Sequence, residues 1–169
     1  MSSLPAMFVS PQAHYPGLTR CATHTRKNIM HTNTTLRNTD DAGKLVLRLI
    51  LAATLLFHGI SKMSNGIGFV ADMLAKAGLP AVFGYGVYVG EVIAPLFILF
   101  GLFTRPAALV VAINMVVAIL LVHTSQFFTL NDTGGWALEL QGMYFFTAIG
   151  IALLGAGRYS VGGVNGRFN

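Results

Sequence analysis

The chain has 169 residues, of which 54% are hydrophobic and only 10% charged, with a formal net charge of +5 and a mean hydropathy of +0.65. Soluble domains carry about 25% charged residues, so the composition argues against a soluble enzyme and fits a single membrane domain. Cys21 is the only cysteine, which excludes an intrachain disulfide and any dithiol chemistry of the chain's own.

The first segment, residues 1–43, is a basic and polar extension with no acid before Asp40. It has no continuous apolar stretch and so does not read as a secretory signal peptide; it shares its Arg-bearing, acid-poor character with mitochondrial transit peptides, but the glycine-rich spans that follow look bacterial. Disorder is expected to about Asp40. Met30 opens a stretch suited to a native N-terminus, and a start there is an alternative to Met1. Four apolar spans follow, at about 44–63, 81–102, 106–123 and 136–156. Each approaches the ~20 residues needed to cross a bilayer. Asp40 or Asp41 is positioned to cap the first, and Pro80 and Pro106 stand near the first positions of the second and third. Between the first two spans, residues 69–76 read as a short amphipathic surface helix stopped by Gly78. Asn131-Asp-Thr-Gly-Gly135 is a turn cluster, and Trp136 after it suits the interfacial aromatic belt. The predicted class is all-α: a polytopic four-helix membrane bundle over 44–162, followed by a short tail, 163–169. The basic residues crowd the tail and the start of the first span, with Arg105, Arg158 and Arg167 on the same side, so both termini are expected in the cytoplasm. Beside apolar spans that charge reads as a cytoplasmic flank, and no nucleic-acid partner is expected.

Glu91 is the most informative residue. An acidic side chain at the centre of a membrane helix costs about 2.5–3.5 kcal/mol on insertion scales, and such groups usually face the bundle interior and pair. At 1.5 Å per residue, Glu91 lies roughly 16 Å below the outer surface, His58 roughly 10 Å, and Lys62 and Glu139 near the edge. These depths pair Lys62 with Glu139 and His58 with Glu91. Arg48, His58 and Lys62 share one helical face, and Arg48 is close enough to the inner end to snorkel to the headgroups. Pro95 has no N–H and frees the carbonyl of Glu91. Gly86 and Gly90 form a GxxxG that lets a helix approach; Tyr88 shares the face of Glu91, and Asn114 reads as an interhelical hydrogen-bonding group. Lys62 and Glu139 read equally well as interfacial charges, and His58 as a bundle histidine. His58 and His123 form a weaker pair for a haem, their depths differing by several ångströms on the 1.5 Å rise. No metal-ligand spacing, Walker A or GxSxG motif is present, and no metal or cofactor is evident.

Taken in order, Arg48-Leu-Ile-Leu-Ala52, Leu56-Phe-His-Gly-Ile-Ser-Lys62, Glu91, Gly101-Leu-Phe-Thr-Arg105-Pro-Ala-Ala108, His123, Gly135-Trp136, Glu139 and Gly157-Arg-Tyr-Ser160 resemble the DoxX family of small membrane proteins. The resemblance covers roughly 44–162. It implies a four-helix protein of the bacterial inner (plasma) membrane. The family is named for a subunit of a thiosulfate:quinone oxidoreductase, so the resemblance also implies, more loosely, an accessory role beside a membrane or peripheral oxidoreductase, with quinone as a ligand. On this reading His58, Lys62, Glu91, Glu139 and Tyr88 are the ligand or proton-relay candidates. Arg48, Pro95, Gly86, Gly90, Arg105, Asn114 and Trp136 serve structure and topology. Two alternatives stay open: a non-enzymatic scaffold or assembly factor, and a small transporter or proton conduit, the latter requiring a homo-oligomer. The residues leave open whether the chain is catalytic.

Overall fold

The computed structural model describes the backbone of residues 16–163, 166, 168 and 169, with side chains from residue 37 onward. The chain divides into two compact units, 1–38 and 39–169. In the first unit the backbone is helical from Pro16, at the start of a helix that runs to Asn65 (α1, Pro16–Asn65). The sequence predicts disorder to about Asp40; that expectation lies outside the described residues for 1–15, whereas from Pro16 the helix replaces it. Pro16 suits a first helical position, and no other proline follows before Pro80. Asp40 and Asp41 accordingly do not cap a span. Both lie inside α1, where Asp40 pairs with Lys44 one turn on at 2.6 Å and Asp41 accepts the Arg158 N–H at 3.1 Å.

The second unit continues with α2 (Gly68–Lys76), at the place expected for the surface helix, ended by Gly78 at φ +72°. Next come α3 (Ala81–Phe100) and α4 (Thr104–Val122), and then α5 (Glu139–Leu154). No strand occurs among the described residues beyond an isolated Leu130–Trp136 bridge. The segments 37–65, 81–100 and 104–122 are long and apolar enough to cross a membrane. The fourth expected span is shorter: α5 has 16 residues, about 24 Å of helix, because Trp136, Ala137 and Leu138 belong to the preceding loop. The buried core takes Leu51, Ala52 and Leu55 from α1, Ala94 and Ile98 from α3, Ala107, Ala108, Val111, Ala112 and Met115 from α4, and Ala148 and Ile151 from α5. Large apolar side chains such as Ile50, Phe57, Ile113, Leu120, Phe146 and Leu153 are exposed on the outside. A surface of that kind suits hydrocarbon rather than water.

α3 is not one uniform helix. It opens with a 3-10 turn at Ala81–Tyr85, passes through a single α turn, and widens to a π turn at Val89–Ile93, where the Ala94 N–H reaches back to the Val89 carbonyl. Pro95 explains the widening. It cannot donate to Glu91, so the ladder slips by one residue just before it.

Arg48 fastens the opposite end of the unit. Its side chain does not snorkel to the headgroups as the sequence suggests; only 1% of the residue is exposed. Nε donates to the Ile98 carbonyl (2.9 Å), Nη2 to Leu99 (3.0 Å), and Nη1 to Ala156 (2.7 Å) and Tyr159 (3.0 Å). These carbonyls end α3 or follow α5. Helix C-termini present unpaired carbonyls and partial negative charge, and the five-donor guanidinium fork can serve several at once. Gly101 makes the arrangement sterically feasible. It ends α3 at φ +70°, and a Cβ there would run into Arg48 and Ser160. The segment after α5 is held in place by Val161 N–H donating to Phe100 (3.0 Å) and Gly162 N–H to Gly101 (3.3 Å). Arg105 lies at the start of α4, where its Nε donates to the Asn169 carbonyl at 3.1 Å.

Arg48→Met is expected to lower the stability of the detergent-solubilised protein by about 3 kcal/mol, since it strands several buried carbonyls together. Arg48→Lys should restore less than half of the loss, because an ammonium lacks the planar fork. Reversible denaturation of the three proteins measures both, and full rescue by lysine would rule out the fork as the cause.

Candidate functional site

The π turn places Glu91 against α1. Gly59 is the contact point. A Cβ on Gly59 would stand 2.5 Å from the Glu91 carbonyl oxygen and 2.6 Å from Val92, so only a glycine lets the two backbones approach this closely. The carbonyl freed by Pro95 therefore faces the Gly59 backbone. One turn further along α1, Lys62 Nζ lies 2.5 Å from Glu91 Oε1. The carboxylate is almost wholly enclosed, with 6% of its side chain exposed against 34% for Lys62. The Tyr88 hydroxyl donates to the Lys62 carbonyl at 3.3 Å and helps hold the end of α1 over α3.

This arrangement corrects the pairing read from depth. Lys62 pairs with Glu91, not with Glu139. A rise-per-residue estimate places backbones, and it neglects the reach of a lysine stem along an apolar wall. His58 does not bond Glu91; it is exposed to the cavity beside the pair and stands edge-on to Tyr144, with ring centroids 5.9 Å apart. Glu139 turns back over its own loop, where a Cβ on Gly135 would collide with its carboxylate. That loop is ordered by Asn131, whose Oδ1 accepts the Thr133 and Gly135 N–H groups at 3.1 and 2.8 Å. The Trp136 indole is fixed there too, donating to the Phe127 carbonyl at 2.8 Å.

The two glycines of the GxxxG part company. A Cβ on Gly86 meets nothing within 4 Å, whereas one on Gly90 would overlap the side chain of Asn114. Gly90, the residue before Glu91, thus admits the Asn114 amide from α4 against the backbone of α3. Among the described residues, two buried side-chain polar atoms have no hydrogen-bond partner in the protein, Glu91 Oε2 and Asn114 Nδ2. They belong to Glu91 and to the amide packed on the preceding residue.

Both residues line a cavity of about 820 Å³, whose wall also takes in His58, Lys62, Tyr144 and Gln141. Its lining is otherwise mostly apolar, and α2 contributes Phe69, Val70, Met73 and Leu74 at one end. At the far side His123 is held on both ring nitrogens. Gln141 Nε2 donates to Nε2 at 3.2 Å, which leaves Nδ1–H to donate to Gln126 Oε1 at 2.8 Å. Sequence reasoning missed Gln141, although a lone amide in an apolar helix was a usable signal. It also missed Tyr144, which nothing in the periodicity marks, and Gly59, which lies within Leu56–Lys62 but whose close approach is visible only in three dimensions.

The DoxX family model matches residues 43–124. The DoxX match includes Arg48, Gly59, His58, Lys62, Glu91, Gly101, Asn114 and His123, and ends before Glu139, Gln141 and Tyr144. The chain is also 28% identical over 116 residues to the "Putative oxidoreductase CatD" of Bacillus subtilis (strain 168), an alignment covering 69% of this chain and 81% of that protein. No solved structure matches the chain.

Lys62→Met is expected to destabilise the protein by about 2 kcal/mol by leaving an enclosed carboxylate uncompensated. Adding Glu91→Gln should recover at least about 1 kcal/mol of that loss. A double-mutant cycle in detergent measures the coupling, and a coupling near zero would mean that the pair does not hold α1 to α3.

Proposed function

We propose that this chain is a DoxX-family protein of the bacterial inner membrane, a four-helix bundle with both termini in the cytoplasm, acting as the accessory subunit of a membrane oxidoreductase system. The observation that carries the reading is the Lys62–Glu91 pair in the wall of the 820 Å³ cavity. An ion pair on a π turn is an expensive way to pack two helices, and π turns occur frequently at functional sites. The cavity falls within the 300–1,000 Å³ range of small-molecule sites and has the expected apolar wall with a few polar groups. The similarity to a protein whose name includes "oxidoreductase" supports the redox context.

The cavity's residues fit a quinone-like ring better than a free sulfur oxyanion. The positive charge of Lys62 is already engaged by Glu91, so little remains for a small anion, whereas the apolar wall accommodates a ring and its tail. A quinone would bring electron and proton transfer; His58, exposed beside the pair, and the Glu91 carboxylate are the groups able to exchange protons with it. Electrons would reach the ring from a partner protein. A second reading is supported by the same ion pair and by Arg48: both lock helices together, as a scaffold or assembly factor requires.

Thermal unfolding separates the two. A short-chain quinone at about 100 times its Kd should stabilise the wild type by about 2.7 kcal/mol and Glu91→Gln by much less, while the variant still inserts. Absence of any shift, together with a lower melting point for Glu91→Gln, would favour the scaffold. Topology is tested by fusions. Green fluorescent protein at the C-terminus should fluoresce, and alkaline phosphatase inserted after Gly134 should be active; the reverse pattern would invert the assigned orientation.

A further inference from the structure

The floor of the cavity has a chemical specificity of its own, which rests on the ligand-binding reading above. Glu91 Oε2 is an acceptor and Asn114 Nδ2 a donor, and neither has a partner among the described residues. Gly90 places the Asn114 side chain against the backbone beside Glu91. Glu91 Oε1 is taken by Lys62. In this conformation both atoms are closed to water, and the terminal torsions of Glu and Asn side chains are broad, so each side chain has the freedom to turn its atom toward the cavity that both residues line. Leaving a buried donor and acceptor unbonded is costly, and the cost falls on any ligand that cannot satisfy both.

We propose that the Glu91–Asn114 floor is a site for a hydroxyl group on an otherwise apolar ligand. A hydroxyl answers both atoms at one point: its O–H donates to Glu91 Oε2 and its oxygen accepts from Asn114 Nδ2. A carbonyl or ether oxygen accepts only and leaves the carboxylate unbonded. An anion meets a carboxylate whose charge is balanced by a single lysine and adds a second negative charge to an apolar pocket. The ligand class is therefore an uncharged alcohol or phenol with an apolar body lying along the helices. Of a redox-active ring, the dihydroxy form is held more tightly than the dicarbonyl form.

The test uses the full chain in detergent with three probes of nearly equal size: 4-hexylphenol, 4-hexylanisole and hexylbenzene. Thermal unfolding against concentration gives the apparent affinity of each. The phenol is expected to bind about 10-fold tighter than the anisole, the equivalent of one charge-assisted hydrogen bond, and the hexylbenzene response measures non-specific partitioning. Asn114→Leu should weaken the phenol and the anisole together, because both oxygens accept from Nδ2, whereas Glu91→Gln, which removes the charged acceptor of the phenol O–H, should narrow the phenol–anisole gap to less than about 3-fold. The wild-type comparison decides the claim even where either variant folds poorly. Equal affinity for phenol and anisole would overturn the hydroxyl assignment and leave the cavity as a ligand site. Failure of all three probes to exceed partitioning would overturn the ligand-binding reading itself, and this proposal with it.

Discussion

A carboxylate enclosed among apolar helices needs a cation, and the contact between Lys62 and Glu91 supplies it. Much of one end of the 39–169 unit is arranged around that contact. The π turn at Val89–Ile93 sets the rotation of α3 that turns Glu91 toward α1, and Gly59 lets the two backbones come within reach. Gly90, on the adjoining position, admits Asn114 from α4. The polar end of the cavity is thus assembled by one irregular turn and two glycines, with few polar side chains.

The opposite end is organised by a different electrostatic solution. Arg48 faces carbonyl oxygens at the ends of α3 and beyond α5 rather than a carboxylate. Its charge is spread over helix C-terminal dipoles, which face it naturally. The two sites lie on the same helix but do unlike work. Arg48 satisfies backbone groups that would otherwise be buried unpaired, and it leaves no partnerless side-chain atom of its own. At the Lys62–Glu91 site one carboxylate oxygen has no partner among the described residues, and neither does the amide nitrogen of Asn114 packed on Gly90. That contrast is the physical reason for proposing ligand chemistry at one and architecture at the other.

Much of the helical plan was legible from residues 44–156, because apolar length is a local property and Pro80, Pro106 and Gly78 mark boundaries directly. Glu91 and Pro95 were legible as the unusual residues for the same reason: charge and a missing N–H are visible in any context. The partners were not. Depth along an ideal helix assigned His58 to Glu91 and Lys62 to Glu139, and it failed because side-chain reach and the pitch of an irregular α3 are not encoded in residue counts. The Gly86–Gly90 motif was read as a unit, and only Gly90 makes a close approach.

The sequence by itself determined that the chain is helical and apolar, that an acidic group sits in mid-span, and that a proline breaks the ladder beside it, since each follows from the chemistry of single residues or short windows. The tertiary structure decided which cation neutralises Glu91, that Arg48 is buried on carbonyls instead of reaching a headgroup, and that Asn114, Tyr144 and Gln141 from distant segments face one cavity. Those outcomes depend on how helices are rotated and how closely they approach, and both are fixed by contacts between residues far apart in the chain.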